Sequence, residues 1–263
     1  MTTVIARCGL ACALLLLCAP PAAAVPGRTR AGFWLAAQLQ AGHRLILQGV
    51  RIEGPVNLNN VGNVRSTFEC HSCVFTGTVT AHDVVFERLV DLAGSRFSDD
   101  VDFTGARFEG PALFRAALAD DSTNNPGPCR FRKHVVFALA SFDDLASFGR
   151  TNFCFDADFR DARFNDATFS HSSFTEARFE RAAFRGTALF NDATFGQHAS
   201  FEEADFRVRA DFARSEFDNG ADFGAARFGG GASFLAATFS VLPGDQQLKR
   251  QERRRKRGEP VEP

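Results

Sequence analysis

The chain has 263 residues, 45% of them hydrophobic, and a formal net charge of -1. That balance excludes a disordered chain and a wholesale nucleic-acid binder, and the length admits one large domain or two small ones. Aromatic usage is lopsided, with 30 Phe, one Trp and no Tyr. An ordinary core mixes Leu, Ile, Val, Met and aromatics, so one structural site has been copied many times.

Residues 1–24 read as a secretory signal peptide. Arg7 precedes an apolar run from Leu10 to Ala19, Pro20 and Pro21 break it, and Ala22, Ala23 and Ala24 supply the small residues before a cut. The alternative is a retained N-terminal anchor, for which the run is short. Cleavage after Ala24 predicts an exported protein, periplasmic or secreted, with no transmembrane segment remaining. It also removes Cys8, Cys12 and Cys18, leaving Cys70, Cys73, Cys129 and Cys154 where disulfides are permitted.

Residues 25–46 precede the repeats. Thr29 to Ala41 carries Phe33, Trp34, Leu35 and Leu39 and is closed by Gly42, which predicts a short helix with a glycine stop. Its place ahead of a repeat array makes it an N-terminal cap.

From 47 to 240 the chain repeats. Phe residues fall at 159, 164, 169, 174, 179 and 184, then at 190, 195, 201 and 206, with steps of five and then alternating six and five. Two residues before each stands a small one, such as Ala157 before Phe159 and Ala193 before Phe195. The same frame runs upstream through Phe75, Phe86, Phe97 and Phe108, and a fainter start lies at Leu47, Ile52 and Leu58. A step of five scatters side chains around an α-helix, and an odd step flips faces along one strand. The unit A-x-F, however, has period two, so its Ala and Phe share a face. The Gly, Asp, Asn, Arg, Glu and Ser that follow are turn formers. A chain that bends the same way after each short strand winds into a coil with Ala and Phe inside. The predicted core is therefore Phe159, Phe164, Phe169, Phe174, Phe179, Phe184, Phe190, Phe195, Phe201 and Phe206, and Arg178 is assigned to a turn.

These units (A-D-F-R-D from Ala157, A-R-F-N-D from Ala162) resemble pentapeptide repeats of the Phe-centred kind over about 47–240. The resemblance implies an all-β fold, a right-handed quadrilateral parallel β-helix with four units per coil. At 22 residues per coil, Phe131 should lie below Phe153 and Phe86 below Phe108, in roughly nine coils. Fold does not fix function. Some cytosolic members of the family mimic DNA on a topoisomerase, which would need a strongly acidic rod. From Val25 to Gly244 there are 22 basic and 27 acidic residues, so DNA mimicry stands as the alternative and no nucleic acid is expected as a partner.

Two segments depart from the frame. Asp120 to Pro128 is an insertion of about six residues, read as an extruded surface loop. Residues 241–263 form a basic tail, with K-R-Q-E-R-R-R-K-R from Lys249 to Arg257. It reads either as a solvated end or as a patch for an acidic partner. No apolar helix closes the last coil, so open strand edges there predict a homodimer through the C-terminal coil, the alternative being that Gln246 to Arg254 folds back as a short polar cap and leaves a monomer.

Little in the chain promises chemistry. Cys70-His71-Ser72-Cys73 has metal or redox spacing, but no second pair completes a zinc site. Both cysteines fall at inward positions, and the pair reads either as two small buried apolar residues or as a local disulfide between Cys70 and Cys73, rather than as the centre of an enzyme. Cys129 and Cys154 should be near each other but poorly aimed. His171 and His198 fall in turns and should be exposed. No catalytic, cofactor or metal residues are assigned. The expectation is a non-enzymatic exported scaffold or adaptor that binds a protein or envelope polymer through its flat faces.

Overall fold

Two-residue strands cannot stand alone, so each A-x-F unit depends on the coil above and below for its hydrogen bonds. The computed structural model describes residues 28–116 and 129–240; the signal segment, the insertion at 120–128 and the basic tail lie outside the described residues. All pairings between the strands are parallel, and they stack into four faces along one axis. Taken in chain order from Arg51, the first face is centred on Ile52, the second on Leu58, the third on Val64 and the fourth on Cys70, after which the cycle repeats. The fourth face is a sheet of nine strands and the third a sheet of eight. The first and second faces are partly joined, because the strands Asn152–Asp158 and Ser173–Arg178 run around the corner between them.

Register follows the repeat. Phe86 pairs with Phe108, which pairs with Phe142 and then Phe164 up the third face. Phe131 bridges Phe153, which pairs with Phe174 and then Phe195 on the first face. Stacked coils therefore superpose like side chains, and rings pile into columns. Phe179 lies between Phe159 at 4.8 Å and Phe201 at 5.0 Å, each within 4° of parallel. Across the interior it meets Phe169 and Phe190 edge-on at 5.2 and 5.4 Å. Both arrangements suit the ring quadrupole. The ten Phe read as core are all 0–1% exposed.

The bend after the second and fourth faces has a definite geometry. Ala162 N–H donates to Phe159 O at 3.2 Å, and Asp161 between them has φ 58°. This is a β-turn with a left-handed third residue, a conformation tolerated best by Gly, Asn and Asp. Where Ser or Thr replaces the small inward residue, its hydroxyl is satisfied: Ser172 Oγ donates to Phe148 O and Ser215 Oγ to Phe190 O, both at 2.7 Å. A buried hydroxyl without such a partner would be costly.

Among the described residues, only the first end of the stack is covered. Thr29–Ala31 forms a strand that pairs with Arg51–Glu53, and the helix proper is Gly32–Gln40, so the cap begins as strand where helix was expected. Leu35 and Leu39 are fully buried against the first coil. Gly32 is required there: a Cβ would come within 2.2 Å of Pro55 O. At the other end Leu235 is 74% and Phe239 50% exposed, and Phe228 and Phe234 are only partly buried. Among the described residues no helix is long and apolar enough to cross a membrane.

Three local readings need correction. Arg178 is not on a turn; it ends the strand Ser173–Arg178 and points outward from the second face. Cys129 and Cys154 are bonded to each other, with Cα atoms 5.7 Å apart. The chain returns from the insertion out of step with A-x-F: Arg130 is buried, and Cys129 is only partly so. That turns its sulfur toward Cys154 on the next coil. His171 occupies a left-handed turn position but keeps only 25% of its side chain exposed, 3.9 Å from Asp192 Oδ2.

Candidate functional site

Because outward residues repeat once per coil, charge on each face is set by which sequence positions recur there. The second face has drawn most of the acid. Its lower coils carry Asp83, then Asp100 and Asp102. The middle coils carry Asp156, Asp158 and Asp161, then Glu176 and Glu180. The upper coils carry Glu202 and Glu203, then Asp222. Against these eleven carboxylates stand three guanidiniums, Arg160, Arg178 and Arg181. The third face alternates more evenly, with Arg107 bonded to Asp143 at 2.7 Å and Arg207 to Asp205 at 3.0 Å.

The three arginines are committed within the face. Arg160 clamps Asp158 through three hydrogen bonds of 2.5–3.0 Å. Arg178 holds Glu176 at 2.6 Å and reaches Asp156 at 3.6 Å. Arg181 donates twice to Asp161 at 2.8 Å, and that guanidinium holds the Asp161 carboxyl below the usual carboxylate range. Two imidazoles sit on the lower half, His82 at 2.9 Å from Asp102 and His134 at 3.4 Å from Asp156. Burial pushes Asp102 up, but hydrogen bonds from Thr104 and His82 outweigh it and leave the group below its ordinary value.

The upper half differs. Glu202, Glu203 and Asp222 make no ion pair among the described residues, and the Asp222 carboxylate accepts from Gly224 N–H at 2.8 Å. Glu180 Oε2 is buried without a hydrogen-bond partner. Carboxylates on adjacent strands about 5 Å apart raise each other's energy and attract cations. This end therefore keeps a net negative charge on a flat, rigid support, which Arg160 and Arg181, committed to Asp158 and Asp161, offset only at longer range.

The other sites singled out in the sequence are structural. Cys70 and Cys73 form a disulfide, and both are fully buried. Ser95 Oγ ties the turn to the next coil, accepting from Cys73 N at 3.0 Å and donating to Cys70 O. His71 lies 3.2 Å from Asp91 and 3.9 Å from Glu69, outside the disulfide it flanks. On the fourth face Arg115, Ser147, Arg150, Ser170 and His171 line a shallow cleft of about 190 Å³. Among the described residues no group of three or more His, Cys, Asp and Glu is placed to hold a metal.

The acidic face was missed in the sequence because charge was summed along the chain. Counting outward positions once per coil, in the 20 to 22 residue register of the paired strands, separates the faces.

A four-faced stack of parallel two-residue strands around phenylalanine columns defines a β-solenoid, with one face set apart by its charge. A family profile described as pentapeptide repeats (9 copies) matches residues 71–118, 169–215 and 179–226. Over those residues the chain consists of pentapeptide repeats, and the coils between the matches keep the same spacing and register. No curated protein and no solved structure matches the chain.

Proposed function

We propose that this protein is an exported, non-enzymatic scaffold whose second face docks a basic protein or a cationic envelope polymer. The observation that carries this reading is the excess of eight negative charges on one face, where Glu202, Glu203 and Asp222 at the upper end make no ion pair among the described residues. A rigid row of like charges steers a cationic partner to itself and is weakened by salt. The signal-like N-terminus supports export, and the two disulfides, Cys70–Cys73 and Cys129–Cys154, fit an oxidising compartment. The coil at Phe234 and Phe239 supports a homodimer formed end to end, since no described residue covers its strand edges and apolar rings.

Export is checked by mass spectrometry of the mature protein, which should begin at Val25; an intact Met1 on cytosolic protein would remove it. The docking face is checked by affinity capture from the envelope fraction. Reversing Glu202 and Glu203 to Lys should abolish capture, and reversing Glu87 and Glu109 on the third face should leave it. Equal loss from both reversals would reject the second face as the site. The DNA-mimic alternative draws on the same acidic face; inhibition of a purified topoisomerase at stoichiometric protein would decide for it. Light scattering on the mature protein tests the dimer, which should survive deletion of everything after Ser240.

A further inference from the structure

The acidic strip and the basic tail belong to one chain, and the coil brings them to the same corner. In every coil the strand after the first face is a strand of the second face. The last described strand, Thr238–Phe239, belongs to the first face, paired on Glu216–Phe217. The chain therefore leaves Ser240 at the edge where the next rung of the second face would stand, directly above Asp222. Lys249 to Arg257 carries seven basic residues and one Glu. From the charge complementarity and this exit point, we infer that the basic tail folds back along the second face of its own chain and occupies the strip from Asp222 to Glu176.

The reach is sufficient. Eight residues separate Ser240 from Lys249, a span of up to about 30 Å when extended. The strip from the level of Phe239 down to Glu176 is three rungs, or about 14 Å. A segment tethered by so short a linker sees its site at an effective concentration in the millimolar range. Even a weak, largely electrostatic contact is then populated. One feature of the face fits an extended cationic strand. Glu202, Glu203 and Asp222 make no ion pair among the described residues, whereas Asp156, Asp158, Asp161 and Glu176 below them are held by Arg160, Arg178 and Arg181.

The consequence is regulation. This rests on the proposed docking role of the second face: a cationic partner has to displace the tail, and a protease that removes the tail exposes the strip. The docking of the tail itself needs no outside partner, so its test fails or succeeds independently of that role.

The chain has three lysines, Lys133, Lys249 and Lys256, which makes zero-length carbodiimide coupling of lysine to carboxylate selective. Lys133 Nζ lies 2.8 Å from Asp99, fixed on neighbouring coils, and serves as the internal control. In the full-length protein at low salt, Lys249 or Lys256 should couple to Glu176, Glu180, Glu202 or Glu203. The yield should be at least tenfold above coupling to Glu87 and Glu109 on the third face. In 0.5 M salt these products should disappear while Lys133–Asp99 remains. Glu202→Gln with Glu203→Gln should cut the remaining tail coupling to Glu180 several-fold. Recovery of the Lys133–Asp99 product alone, or even coupling of the tail to both faces, would overturn the inference. Mixed isotope-labelled and unlabelled chains whose tail products all join two copies would overturn its intramolecular form.

Discussion

The phenylalanine columns are where this fold stores its stability, and Phe174→Ala tests that directly. Phe174 is 1% exposed. It stacks on Phe153 at 4.7 Å and on Phe195 at 5.0 Å, and it meets Phe179 edge-on at 6.1 Å. Truncation removes about 150 Å² of buried apolar surface, worth roughly 4 kcal/mol at about 25 cal/mol per Å². The column above and below is held by its own hydrogen bonds and cannot collapse into the gap, so a loss of about 3–5 kcal/mol is expected. Phe195→Ala should cost the same. The double variant should fall short of the sum by about 0.5–3 kcal/mol, because the two rings share a contact. Phe239 provides the control: it is 50% exposed and stacks on one ring, Phe217, at 4.7 Å. Phe239→Ala should therefore cost less than half as much. Urea unfolding followed by far-ultraviolet circular dichroism gives all four values. If Phe239→Ala were as damaging as Phe174→Ala, or Phe174→Ala cost under about 1 kcal/mol, column packing would not be the source of stability.

Arg178→Ala removes an ion pair that is one-third exposed, so unfolding should shift by less than about 1 kcal/mol; a loss matching Phe174→Ala would place that side chain inside. Cys129→Ser opens a bridge that closes 25 residues, and chain entropy predicts a loss of roughly 3–4 kcal/mol, read as a lower urea midpoint. Arg214 donates two hydrogen bonds to Asp192 and depresses its carboxyl to about 2. A depressed folded value gives stability that is present above about pH 4 and lost as the pH falls toward 2. Asp192→Asn should flatten the stability profile in that window, and an unchanged profile would show that the pair is not formed in solution.

How far the sequence carries depends on which interactions repeat. The fold class was legible because A-x-F is a local rule. Period two sets which side chains point in, and the step to the next unit sets the bend, so Phe159 to Phe206 could be assigned inward without coordinates. The cap was legible in the same way, from Leu35, Leu39 and the Gly42 stop. What failed was wherever the frame slips. After the insertion the chain re-enters with Arg130 buried, so parity counting mis-aimed Cys129, whose bond to Cys154 depends on the neighbouring coil. Arg178 looked like a turn residue because turns are rich in Arg, but Ser173–Arg178 stays extended around its corner. The candidate site was the least legible part. Linear order alternates Asp and Glu with Arg, which reads as neutral. Only the stacking of coils places Glu180, Glu202 and Asp222, about 20 residues apart in the chain, on adjacent rungs of one face. Electrostatics acts through space at about 5 Å per rung, while the sequence records distance along the chain.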